Sequence, residues 1–103
     1  TAVVLAPLLE EVLFRGVLYP ALRHRMGVLP AGLVVTVLFT ALHGLQTGWY
    51  LPALMSITLA GLALVALRER TGGLAAPIAF HAGFNAIVLL LILAFWGGPP
   101  PLP

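Results

Sequence analysis

The sequence predicts an all-α, polytopic membrane bundle of about four transmembrane helices, over residues 2–22, 30–45, 51–67 and 74–96. Three observations carry this. Of 103 residues, 61% are hydrophobic and 8% are charged, against roughly 25% charged in soluble domains. The apolar residues fall in runs of about 16 to 23, close to the length a bilayer asks of a helix. Between the runs stand arginines, glycines or an aromatic pair, which mark membrane edges and helix stops.

In the first run Pro7 falls in the opening turn, where a missing N–H costs little, and Pro20 is expected to bend or loosen the closing turn. Arg23-His24-Arg25-Met26-Gly27 reads as a short interfacial turn, with His24 a solvated loop histidine. The second helix starts near Pro30, a favoured first-turn residue. Ending at about Leu45 it is short for a span, so tilt, fraying or a break near Gly44 is expected. Trp49 and Tyr50 suit the opposite membrane interface. The third helix carries no charge and is expected to pack closely through Ser56, Ala60 and Gly61. Arg68-Glu69-Arg70-Thr71-Gly72-Gly73 ends it with charge and a glycine stop. In the fourth, Ala75, Ala79 and Gly83 form a small-residue stripe, and His81 and Asn85 a polar pair on an adjoining face.

Residues 1–97 are expected to form one membrane core and 98–103, rich in proline, an extended tail. The sequence starts at Thr1 inside an apolar run with no initiator Met, so it is expected to be a piece of a longer protein. Five arginines, no lysine and three acidic residues give a formal charge of +2. Arg23, Arg25, Arg68 and Arg70 read as membrane-edge anchors and not as a nucleic-acid surface, so the expected surroundings are the lipid bilayer. An up-down bundle puts all four on one side, which the positive-inside rule makes cytoplasmic. The lack of lysine fits a GC-rich genome, and a bacterial inner membrane is the expected location. With no cysteine, disulfides, thiolate catalysis and Cys-based zinc sites are excluded.

The stretch that constrains the bundle is Glu10-Glu11-Val12-Leu13-Phe14-Arg15. Three unpaired charges at mid-bilayer cost about 8–10 kcal/mol, while the Val, Leu and Phe residues between Val3 and Leu22 return only about 3–7. This helix is therefore expected at the centre of the bundle. Glu11 and Arg15, four apart, share a face and can pair. Glu10 lies about 100° round the axis, facing a different neighbour and free for chemistry.

Counting depth from the arginine side at 1.5 Å per residue, Glu10 and His43 lie about 20 Å in, His81 about 10 Å and Asn85 about 17 Å. Tilt can bring them into one layer. A carboxylate in a dry site can act as general base on water with an imidazole within reach. An imidazole N–H and an Asn amide can stabilise an oxyanion. Glu10, His43 and His81 could instead hold a divalent metal such as zinc, with an open position for water. Taken singly, His43 reads as a hydrogen-bonded core histidine, the His81/Asn85 pair as interhelical glue and Arg15 as structural. A second buried carboxylate beside the first has no packing use, so Glu10 points to function.

Glu10-Glu11-x-x-x-Arg15, Phe39-x-x-x-His43 and His81-x-x-x-Asn85, in that order and each on its own apolar helix, resemble the CPBP family of intramembrane proteases. That family includes CaaX prenyl proteases of the Ras-converting type and bacterial Abi proteins linked to bacteriocin processing and self-immunity. The resemblance runs from about Pro7 to Leu90. It implies an endopeptidase acting within the bilayer on a peptide or prenylated protein. Carried over by motif position, Glu10 and His43 are similar to the water-activating pair and His81 and Asn85 to the oxyanion pair. Glu11 and Arg15 match supporting residues, and Phe39 the aromatic position that shapes the site. It also implies glutamate chemistry without a cofactor in preference to a metal, and more helices than four. Two other classes are a proton-relay carrier, for which the expected internal repeat is missing, and a non-catalytic scaffold or immunity protein that keeps the fold.

Overall fold

The computed structural model of the protein describes residues 4–96, which contain helices and, among the described residues, no strand. The tail expected over 98–103 lies outside them. The first rod is α1 (Leu5–Glu11), a π-helical segment (Val12–Leu18) and α2 (Tyr19–Met26), in unbroken succession. The others are α3 (Val28–Thr47), α4 (Leu51–Thr71) and α5 (Ala75–Trp96). These last three are long and apolar enough to cross a membrane. The first rod carries Glu10, Glu11 and Arg15 in its apolar run and packs on all three others: α1 against α5, the π segment against α3 and α4, and α2 against α3. The central placement expected from its charges is what is observed.

Among the described residues four rods appear where four were expected, but the first three run past the C-terminal ends expected for them. The first continues through Arg23, His24 and Arg25 to Met26, so the interfacial turn is helix. Basic residues in a last turn face the negative end of the helix dipole and favour its extension. Gly27, at φ 88°, then stops it. α3 restarts at once and runs its full 20 residues through Gly44 to Thr47. It is not short, and Gly44 does not break it. The Trp49 ring packs against Gly44, where a Cβ would collide with it. α4 likewise continues through Arg68, Glu69 and Arg70, and Gly72 stops it in the left-handed conformation. Pro7 falls in the first turn of α1, buried.

Pro20 does not loosen the last turn; the adjustment lies upstream of it. The Tyr19 N–H bonds the Phe14 carbonyl, five residues back. A wider π turn relieves the clash a proline ring makes with the turn before it.

Phe14, Tyr19, Ala31, Val35, Phe39, Leu64 and Val65 form the core. Lipid is as apolar as leucine, so helices in a membrane associate by close fit more than by leaving solvent. Gly32 lets Val65 approach, and Gly61 lets α3 and the Arg15 side chain lie against α4. Ala60 and Gly61 are buried as expected, but Ser56 is exposed. The Ala75/Ala79/Gly83 stripe is also exposed, and α5 instead turns Pro77 and His81 inward. His81 has a carboxylate to meet there, and an alanine stripe has no such partner.

A Cβ on Gly61 would lie 3.1 Å from Thr36 Cγ2 and 3.3 Å from Phe39 Cδ1. Gly61→Ala should therefore lower stability slightly and Gly61→Leu by about 1–3 kcal/mol. The check is the denaturant midpoint of the purified protein in micelles.

Candidate active site

Glu11 is fully buried, and a buried carboxylate needs charged or N–H partners. Its Oε2 accepts from Arg15 Nη1 at 3.1 Å and from His81 Nδ1 at 2.7 Å. Arg15 is also fully buried. Its Nη2 donates to the Gly61 carbonyl at 3.2 Å, and its guanidinium lies 4.4 Å from the centroid of the Phe39 ring. The first rod, α4 and α5 thus meet at one ion pair, with a ring from α3 over it. Glu11 Oε1 and Arg15 Nε have no hydrogen-bond partner among the described residues.

Two imidazoles complete the cluster. His43 Nδ1 donates to the Phe39 carbonyl one turn earlier, at 2.8 Å, and its ring packs 4.3 Å from the Phe39 ring. A carbonyl only accepts, and so does an ionised carboxylate, so both histidines hold a proton on Nδ1. Both therefore turn Nε2 towards Glu10. His43 Nε2 lies 3.4 Å from Glu10 Oε2, and His81 Nε2 lies 3.3 Å from Glu10 Oε1. An Nε2 whose ring holds its proton on Nδ1 is an acceptor, so each of these contacts becomes a hydrogen bond only where a proton lies between the two atoms. Glu10 keeps 28% of its side chain exposed, where Glu11 has none.

His43, His81 and Asn85 line a cavity of about 30 Å³ between α3, α4 and α5, walled by Phe39, Phe80 and Phe84 among others. That admits a water or two, since one needs roughly 10–15 Å³. Of the residues singled out in the sequence, Arg15, Glu11, His81, Glu10 and His43 are linked in that order by successive contacts, and Asn85 stands on the cavity wall. His24 is exposed at the end of α2. The two glutamates do not serve separate neighbours, because His81 touches both. Among the described residues no group of three His, Cys, Asp or Glu is arranged to hold a metal ion. The two imidazoles approach different oxygens of Glu10 and do not converge on one.

Sequence reasoning missed the backbone acceptors, the Gly61 and Phe39 carbonyls. It also misplaced Arg68, expected as a membrane-edge anchor. Its Nε turns inward and donates to the Arg15 carbonyl at 3.0 Å. The available signal was Pro20, five residues after Arg15, which withholds an N–H from that region.

The family model "Type II CAAX prenyl endopeptidase Rce1-like" matches residues 1–87. The chain is 35% identical over 92 residues to a protein of Escherichia coli named "Uncharacterized 24.3 kDa protein", covering 87% of this chain and 42% of that one. It is 30% identical over 90 residues to "Putative membrane peptidase YdiL" of Bacillus subtilis (strain 168), covering 87% of this chain and 35% of that one. The chain thus spans less than half the length of these relatives. No solved structure matches it significantly. With three helices of spanning length and this family match, the chain is an integral membrane protein.

Removing one partner of a buried ion pair leaves the other uncompensated, at about 3–5 kcal/mol. Arg15→Met should destabilise the protein by that order. Adding Glu11→Gln, which keeps an acceptor for His81, should recover at least about 1 kcal/mol relative to additivity. A double-mutant cycle on chemical unfolding in micelles measures this.

Proposed function

We propose, because the chain belongs to the Rce1-like family of type II CAAX prenyl endopeptidases, that it carries the catalytic core of an intramembrane endopeptidase. The observation behind this reading is Glu10, partly exposed and faced by Nε2 of both His43 and His81, two histidines that also line a water-sized cavity within apolar helices.

In the proposed mechanism a water lies against Glu10 and His43. Glu10 takes its proton as the oxygen attacks the scissile carbonyl, and His43 Nε2 accepts or shares the same proton. Glu11 Oε2, 2.7 Å from His81 Nδ1, fixes the ring with Nε2 towards the reacting centre, and the mechanism uses that nitrogen as a donor. His81 Nε2–H and the Asn85 amide then donate to the oxyanion. When the C–N bond breaks, the proton held by Glu10 and His43 passes to the leaving nitrogen, and the cluster returns to its starting state. Glu11 and Arg15 take no part in bond making; they fix His81 and the first rod. No step is routed through a metal.

The substrate in this reading is a peptide bond near the C-terminus of a CaaX-like or other membrane-associated peptide. A prenyl chain would hold such a segment at the bilayer. The end of the bundle with Arg23, Arg25, Arg68 and Arg70 faces the cytoplasm by the positive-inside rule, and the membrane is a bacterial inner membrane. Support for the latter comes from relatives in Escherichia coli and Bacillus subtilis.

In liposomes holding the full-length protein and peptides with and without a prenylated C-terminal motif, Glu10→Gln and His43→Ala should each lower kcat by about 10²–10⁴-fold. A chelator should leave the wild-type rate unchanged. Wild-type rates in both variants would overturn the assignment of Glu10 and His43, whereas no cleavage by the wild type across the peptides would favour a non-catalytic scaffold.

A further inference from the structure

We infer that Arg68 is a positioning residue for this site, holding the π-helical turn of the first rod in register by bonding the carbonyl that Pro20 leaves without a donor. The inference rests on the proteolytic reading only for its effect on turnover.

The argument starts from the backbone. In an α-helix the Arg15 carbonyl would take the N–H of Tyr19, and in a π-helix that of residue 20. The Tyr19 N–H is committed to Phe14, and Pro20 has none. The Arg15 carbonyl is therefore orphaned by both patterns, between packed apolar helices where an unpaired carbonyl is costly. Arg68 Nε–H, from α4, fills the gap at 3.0 Å.

The neighbouring residue extends the grip. Glu69 accepts from the Tyr19 hydroxyl at 2.8 Å and from Arg23 Nε at 2.9 Å, with Arg23 Nη2 on its other oxygen at 2.8 Å. Residues 15, 19 and 23, four apart on one line of the first rod, are thus all held from the end of α4. Arg15 is held by α4 at both ends, through its carbonyl by Arg68 and through its Nη2 by the Gly61 carbonyl. The height of Arg15 sets that of Glu11, which orients His81, whose Nε2 faces Glu10. A slip of one hydrogen-bond register at Arg15 would pass along this chain to the reacting groups. Misplacement on the order of 1 Å there can cost about 10²-fold in rate.

The test uses Pro20 as suppressor in the full-length protein. Arg68→Leu should lower kcat by roughly 10- to 100-fold with KM within about twofold. Pro20→Ala supplies an N–H five residues after Arg15 that can take the orphaned carbonyl. In the Pro20→Ala background Arg68→Leu should therefore change kcat by less than about threefold. An edge anchor or a general packing role would make the Arg68→Leu loss the same in both backgrounds. That result, or an unchanged kcat in Arg68→Leu alone, would overturn the inference. Unfolding midpoints of the same four proteins give a readout independent of activity. If the wild type cleaves no peptide, the proteolytic reading fails by itself. A midpoint cycle in which Pro20→Ala abolishes the Arg68→Leu loss then upholds the clamp, and an additive cycle overturns it.

Discussion

The Glu11–Arg15 pair is the constraint on which the rest of the bundle depends. Both groups are fully buried, where an unpaired charge is expensive and electrostatic partners are correspondingly strong. Each partner fixes an element. His81 draws α5 in, the Gly61 carbonyl draws α4, and the Phe39 ring brings α3 over the guanidinium. Because α3 and Arg15 approach α4 at its backbone, position 61 is tight for anything larger than glycine. Four elements otherwise interchangeable as apolar rods are thereby given a defined order and depth.

The four rods, three of them long and apolar enough to span a membrane, were legible because long apolar runs have few other uses, and the central rod because its charges had no lipid-facing solution. The polar cluster was legible for the same reason: Glu10, Glu11, Arg15, His43, His81 and Asn85 are nearly all the strongly polar residues that the apolar runs contain. The helix ends were misjudged. Charged residues after an apolar run look like loop when the bilayer edge is taken as the helix edge, yet α2 and α4 each run about four residues further, their basic last turns complementing the dipole. The outward face of the Ala75/Ala79/Gly83 stripe was misjudged because small residues permit close packing without requiring it.

Arg68 was illegible for a deeper reason. Its partner is a backbone carbonyl 53 residues away, and that carbonyl is available only because a proline and a π turn together deny it a donor. No pattern of side chains encodes such an acceptor. Charge patterning placed Arg68 beside Arg70 and Arg25 as one more interfacial cation, and the distinction between them arises only once the hydrogen-bond register of the first rod is known.

That register bears on why two adjacent glutamates can have different roles. Glu10 and Glu11 precede the π turn and diverge by about 100° round the axis. One meets a guanidinium and an Nδ1–H, both of which donate, and so is held as a fixed anion. The other meets two Nε2 atoms whose opposite nitrogens already hold their protons on Phe39 and Glu11. It faces bases and keeps partial exposure. The same side chain is thus structural at one position and, in the proposed mechanism, a proton acceptor at the next. The difference lies in which face of each imidazole it is shown. His81 divides the two roles, since the nitrogen that anchors it to Glu11 is what turns the other towards Glu10.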